Sequence, residues 1–421
     1  MAPLWLSSPH MRERPRDPRR NLWPLVIGQS VSLLGDYLAF FFALPVFVRD
    51  TTGSATQLGA LAVFETVAVL MFGFLAGVLL DRVHIRRAII TADLVRATGF
   101  GLLALAVALD VGTTWMAFAV AFLVGSMGTI FDNGLESLMP SVLTDDLLVV
   151  ANSRLSMGRN LAQTLGFVLG GAVLALSGGV AGAFALNAVT YAFSVAALLI
   201  LVEVRPRPAV THEPVWAALG SGLLTLWRSA PLRWATAAAT LTNLAFAPLA
   251  AVMTLYARDE LGITSDGDLG LFFAAFSAIG VAGVAVAPRL VRRVGLGHSV
   301  VVGCFVFGVG ALATGLVDGW WAVAPLGVAL AGVSLNQVGF ATLRQRLTPP
   351  DRLGRVISAS RTIAWGGIPV GAFGGGLIAD HVGLRPLFVG GGFAICVIAA
   401  LLVLGPLWRT DREPVRSEST L

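Results

Sequence analysis

Apolar residues in this chain come in long runs, too continuous for the half-buried faces of soluble helices or strands. A helix needs roughly 20 mainly apolar residues to cross a bilayer. Twelve segments meet that length: 22–48, 56–80, 88–109, 114–138, 157–177, 181–202, 233–256, 268–290, 298–317, 320–343, 356–379 and 383–405. The pattern predicts an all-α integral membrane protein of twelve transmembrane helices. Composition agrees. Hydrophobic residues make up 56% of the chain and charged ones 13%, against about 25% charged in soluble domains.

The charges that remain set an orientation. All 29 basic residues are arginine. Following the spans in and out, 24 arginines fall at one end. Three (Arg49, Arg258, Arg385) fall at the other, and two (Arg96, Arg361) lie within spans. The positive-inside rule then puts both termini in the cytoplasm of a cell-membrane protein, as an even number of spans requires. The net charge of +5 is therefore read as topology, with no nucleic-acid partner. The run that follows the basic N-terminus is too long for a signal-peptide core and is expected to stay as the first span.

The chain divides into a basic cytoplasmic tail (1–21), six spans (22–202), a cytoplasmic linker (203–232), six more spans (233–405) and a second tail (406–421). The linker opens on Arg205-Pro206-Arg207-Pro208, a stiff segment. It continues with Trp216, Leu219, Leu223, Leu224, Leu226 and Trp227, the makings of an amphipathic helix on the membrane surface. The halves repeat. Gly77, Arg86 and Arg87 recur as Gly283, Arg292 and Arg293 at an offset of 206, and Gly166, Gly170 and Gly171 recur as Gly371, Gly375 and Gly376 at 205. Parallel six-span repeats with a site between them at the midplane are a transporter plan.

Several activities are excluded or disfavoured. With no lysine there is neither a P-loop of the Walker A type nor a Schiff base, so any work done by the chain is expected to draw on an ion gradient. No HExxH pair and no GxSxG elbow occurs, and the five histidines are scattered. Cys304 and Cys396 sit inside apolar runs as packing residues. No enzyme, cofactor or metal site is expected.

Ionisable groups inside spans cost roughly 2.5–3.5 kcal/mol each on insertion scales and are functional candidates by default. Asp36 lies mid-span beside Phe40, Phe41 and Phe42. It is either a proton-coupling carboxylate for which a cationic substrate could compete, or a structural partner for Arg96 or polar helix-packing group. Glu65 in the second span is a second proton site, a substrate anchor or a bystander in a wet vestibule. Asp93 and Arg96, three apart, share a helix face and can pair, which favours a structural reading. The repeated glycines at 166, 170, 171, 371, 375 and 376 allow close helix packing or bending.

The stretch Gly77-Val-Leu-Leu-Asp81-Arg82-Val-His-Ile-Arg86-Arg87 resembles the loop 2–3 signature of the major facilitator superfamily, with His84 in place of its glycine. The fifth span resembles the antiporter signature of that superfamily, with Ala162 and Phe167 replacing a glycine and the proline. Ser32–Asp36, Thr52–Ala55 and Leu347–Val356 look like the enterobactin-exporter and macrolide-efflux branch. The resemblance implies a monomer that moves a small molecule by alternating access. It implies that Asp81, Arg82, Arg86 and Arg87 form a cytoplasmic gate in which Asp81 meets the N-terminus of span eleven. Asp132 and Glu136 are expected to partner the arginines. It also implies that spans one, four, seven and ten line the cavity, giving Asp36, Phe40, Asn243, Phe246, Asn336 and Gln337 as lining candidates and Trp365 as packing. The leading expectation is proton-coupled efflux of a drug, siderophore or secondary metabolite. The alternative is nutrient or lipid uptake on the same fold.

Overall fold

The computed structural model describes residues 19–177, 179–201, 215–348 and 352–409. Most of the expected tails (1–21 and 406–421) and the Pro-rich half of the linker lie outside them, while 19–21 and 406–409 are helical. Among the described residues the regular structure is all helical, without strands. Eleven helices are long and apolar enough to cross a bilayer, and a bent pair makes a twelfth. In order the spans are Arg19–Thr52, Ala55–Arg82, Ile85–Ala108, Thr114–Val142, Asp145–Ser177 and Ala181–Leu199. The second half follows with Ala230–Ala251 plus Met253–Asp259, then Asp266–Val294, Leu296–Thr314, Val323–Leu347, Leu353–Val382 and Leu384–Val403.

Several helices outrun the apolar segments because local chemistry, and not hydropathy, ends them. Span one continues to Thr52. The hydroxyls of Thr51 and Thr52 bond back to the carbonyls of Phe47 and Val48 at 2.8 and 2.7 Å, and Gly53 then closes the helix with φ 62°. Ser54 caps the start of span two by accepting from the Gln57 N–H. Within span one, Asp36–Ala43 winds as a π-helix. Pro45 just beyond it has no N–H to give the Phe41 carbonyl, so the regular ladder is already broken there. Span seven bends by 48° at Val252. Pro248 is the cause: it leaves the Leu244 carbonyl without its helical partner.

Within each half the helices pack around apolar and small residues. The halves meet along two crossings, span two on span eleven and span five on span eight. Gly171 is one place where only glycine fits. A Cβ there would stand 2.6 Å from the Asp266 carbonyl oxygen and 2.8 Å from the Gly270 Cα. Gly376 abuts the Ala55 carbonyl oxygen and the Thr56 Cα in the same way at the other crossing. Gly166 and Gly170 instead admit Tyr37 and Phe42 of span one, and Gly371 and Gly375 admit Leu244 and Pro248 of span seven. The second part of the linker is the helix Val215–Arg228. Leu226 is buried against Leu232 and Val356, Arg355 Nη1 donates to Ser221 Oγ at 3.3 Å, and Leu224 and Trp227 remain exposed.

Candidate functional site

A cavity of about 560 Å³ lies between the halves, within the roughly 300–1,000 Å³ of small-molecule sites. Span one supplies Tyr37, Phe40 and Phe41 to its wall, and span two supplies Glu65. From the second half come Phe246, Phe273, Phe276, Phe307 and Trp365. Phe273 closes the upper wall between halves, its ring centroid 5.6 Å from Phe42 and 5.3 Å from Phe167. Of the lining candidates, Phe40 and Phe246 face the cavity, whereas Asp36, Asn243, Asn336 and Gln337 are outside its wall. Asn243 Nδ2 donates to the Ala364 carbonyl at 2.9 Å, and Asn336 turns to span nine. Gln337 is exposed. Trp365 is part of the wall.

Glu65 is the one carboxylate among the described lining residues, and no arginine or histidine joins it. It makes no hydrogen bond or ion pair among the described residues.

Asp36 belongs to a different site, inside the first half. It accepts a hydrogen bond from Tyr191 Oη of span six, and Asn187 also stands against it. Arg96 pairs with Asp93. Its guanidinium lies 4.6 Å from the ring centre of Phe131 and 4.4 Å from that of Tyr191, so Tyr191 joins the two charged groups. Asp93 and Arg96 are 0% and 5% exposed. The cluster thus holds two carboxylates and one guanidinium. With all three ionised, one negative charge is left over, and a proton on Asp36 would cancel it.

At the arginine-poor end, polar contacts tie the halves together. Arg49 Nη2 reaches Asp266 Oδ1 at 3.3 Å, and Arg258 Nη1 reaches Asp50 Oδ1 at 3.2 Å. Asp380, in the last turn of span eleven, accepts from the Ala55 and Thr56 N–H groups at 2.8 and 3.0 Å and from Ser54 Oγ at 2.9 Å. It therefore caps a helix of the other half. These residues were not singled out from sequence. The signal was available in Asp380, since an acid at a helix C-terminus opposes the macrodipole and needs an outside partner.

At the arginine-rich end, the side chains of Asp81 and Arg82 lie outside the described part of the structure. Arg86 Nε donates to the Leu198 carbonyl at 3.1 Å, so it caps the end of span six. Arg87 and Glu136 are exposed. Asp132 is also exposed, and it interacts electrostatically with Arg96, Arg159 and Arg361, and not with Arg86 or Arg87.

Comparisons with known proteins agree with this architecture. The chain is 24% identical to macrolide efflux protein A of Streptococcus pyogenes over 402 residues, covering 91% of this chain and 96% of that one. It is 23% identical to the multidrug efflux pump Tap of Mycolicibacterium fortuitum over 382 residues, 87% and 91% of the two chains. The nucleoside transporter NupG shares the fold, with a TM-score of 0.70 at 13% identity over 92% of this chain and 99% of that one. The sequence profile of the Major Facilitator Superfamily matches residues 25–372. With twelve apolar helices, two six-helix halves and a cavity between them, this multi-pass membrane transporter belongs to the Major Facilitator Superfamily.

Proposed function

We propose that the protein exports a hydrophobic or amphiphilic small molecule from the cell in exchange for protons, working as a monomer in the cell membrane with both termini cytoplasmic. The observation that carries this reading is the cavity between the halves, whose wall is mainly aromatic and aliphatic. Such a wall rewards a ligand that leaves water for an apolar setting. The names of two relatives, a macrolide efflux protein and a multidrug efflux pump, favour the export direction.

Coupling is assigned to Asp36. Its protonation removes the surplus charge of the first-half cluster, and the π-helical stretch that begins at Asp36 also carries Phe40 and Phe41 into the cavity wall. A change at the carboxylate is thereby passed along one helix to the substrate. The contacts of Arg49, Arg258 and Asp380 would close the outer end while the cavity communicates with the cytoplasm, and their release would open it outward. One proton entering down 100 mV releases about 2.3 kcal/mol, and each unit of pH gradient adds about 1.4 kcal/mol, enough to support a concentration ratio.

Energised everted vesicles from a pump-deficient host test this reading. Adding macrolides or cationic dyes should dissipate the pH gradient through the wild-type protein and not through Asp36→Asn. Active efflux by that variant at the wild-type rate would remove the coupling role. Accumulation of the compounds in right-side-out vesicles would reverse the direction.

A further inference from the structure

We infer that the cavity selects lipophilic monocations, with Glu65 as the group that meets their charge and Asp36 outside the wall that holds them. The inference rests on the efflux reading and narrows its substrate class.

Glu65 lines the cavity, and among the described residues nothing donates to its carboxylate or pairs with it. A carboxylate so placed has given up much of its hydration, and a bound cation offsets that loss. Phe40, Phe41, Phe246, Phe273 and Trp365 surround the same space, so ring faces add cation–π attraction to the apolar contact. The wall offers one negative charge and no arginine or histidine among the described lining residues. An anionic ligand such as a catecholate siderophore would meet a like charge with nothing to pair it. A dication would bring its second charge against an apolar wall.

Asp36 is close to the wall along the chain yet absent from it. Tyr37, Phe40 and Phe41 face the cavity, while Asp36 is turned to Tyr191 and Asn187 inside the first half. The two carboxylates therefore divide the work: Glu65 meets the substrate, Asp36 takes the proton.

The test is equilibrium binding to the purified full-length protein in nanodiscs at neutral pH. It uses three probes: tetraphenylphosphonium, the nearly isosteric anion tetraphenylborate, and the neutral fluorophore N-phenyl-1-naphthylamine. The wild type should bind the phosphonium in preference to the borate. Glu65→Gln should weaken phosphonium binding at least about tenfold, as loss of a desolvated charge partner does, and leave the neutral probe unchanged. Glu65→Asp should keep the cation preference. Gln337→Ala, outside the cavity wall, should hold phosphonium affinity within about twofold. Equal phosphonium binding by Glu65→Gln and wild type, or an equal loss in Gln337→Ala, overturns the inference. Binding of the neutral probe without cation preference overturns the inference and leaves the apolar-substrate reading in place. Binding of none of the three probes overturns both.

Discussion

The two halves of the repeat bury different chemistry at corresponding places. In the first half, spans one, three and six meet around Asp36, Asp93, Arg96 and Tyr191. In the second, Thr242 stands at the 206-residue offset from Asp36. Its Oγ1 lies 3.1 Å from Cys304 Sγ, and Asn336 Nδ2 donates to Cys304 Sγ at 3.0 Å and to the Val300 carbonyl at 3.1 Å. One core is ionic and the other neutral, yet both build a six-helix bundle. The fold does not need the charges. Buried ions are expensive to desolvate and often stabilise less than apolar replacements, so their presence, among the described residues, in one half alone points to work specific to that half.

The two crossings between the halves differ in the same manner. Where span five passes the start of span eight, the backbones touch at Gly171 and Gly270. Where span eleven passes the start of span two, Asp380 adds three hydrogen bonds to the first turn of that helix. The position equivalent to Asp380 at the 205-residue offset is Ala175. The first packs backbone on backbone with the Arg49–Asp266 ion pair beside it, and the second takes a charge into the crossing itself, so the second can be loosened without touching the first.

Arg96→Leu should break the ionic core. It leaves Asp36 and Asp93 buried without a counter-charge, at a cost of about 3–5 kcal/mol. The variant should melt far below the wild type in detergent, and an unchanged melting point would remove the contrast between the halves. Asp380→Asn should weaken the charged crossing by about 1.5–3 kcal/mol, the worth of hydrogen bonds to an ionised group. Hydrogen exchange at Ala55 and Thr56 should then rise by about tenfold or more, while exchange around Gly270 stays as it was. Equal exchange at span two in Asp380→Asn and the wild type would show that Asp380 does not hold it. The smallest effect is expected in the neutral core, where Asn336→Ala should cost about 0.5–1.5 kcal/mol by loss of ordinary hydrogen bonds. A penalty matching that of Arg96→Leu would show that the second half depends on its polar core just as strongly.

Much of the architecture was legible in the residues. Span length is read from hydropathy because unpaired backbone groups have no water to bond inside a bilayer, so a helical crossing must satisfy its backbone within the protein over its whole length. The repeat was legible from glycines and arginines, since both mark places with fixed demands, close packing in one case and loop charge in the other. The candidate site was only partly legible. Asp36, Glu65 and Arg96 stood out as ionisable groups in apolar runs, but Tyr191 and Asn187, on which Asp36 depends, look like ordinary polar residues of span six. Asp380 was hidden because its partners are backbone N–H groups, which every residue but proline possesses.

By itself, then, the sequence determined the number of helices, their duplication and the end at which arginine gathers, because these follow from local composition. The facing of each side chain was decided only by tertiary structure. Successive residues on a helix point about 100° apart, so Asp36 and Tyr37 are neighbours in the chain and yet one enters the first-half cluster while the other lines the cavity. The rotation of span one that sends them apart is set by what packs against it. Gly166 and Gly170 of span five admit Tyr37 and Phe42, and Tyr191 of span six offers the hydroxyl that Asp36 accepts.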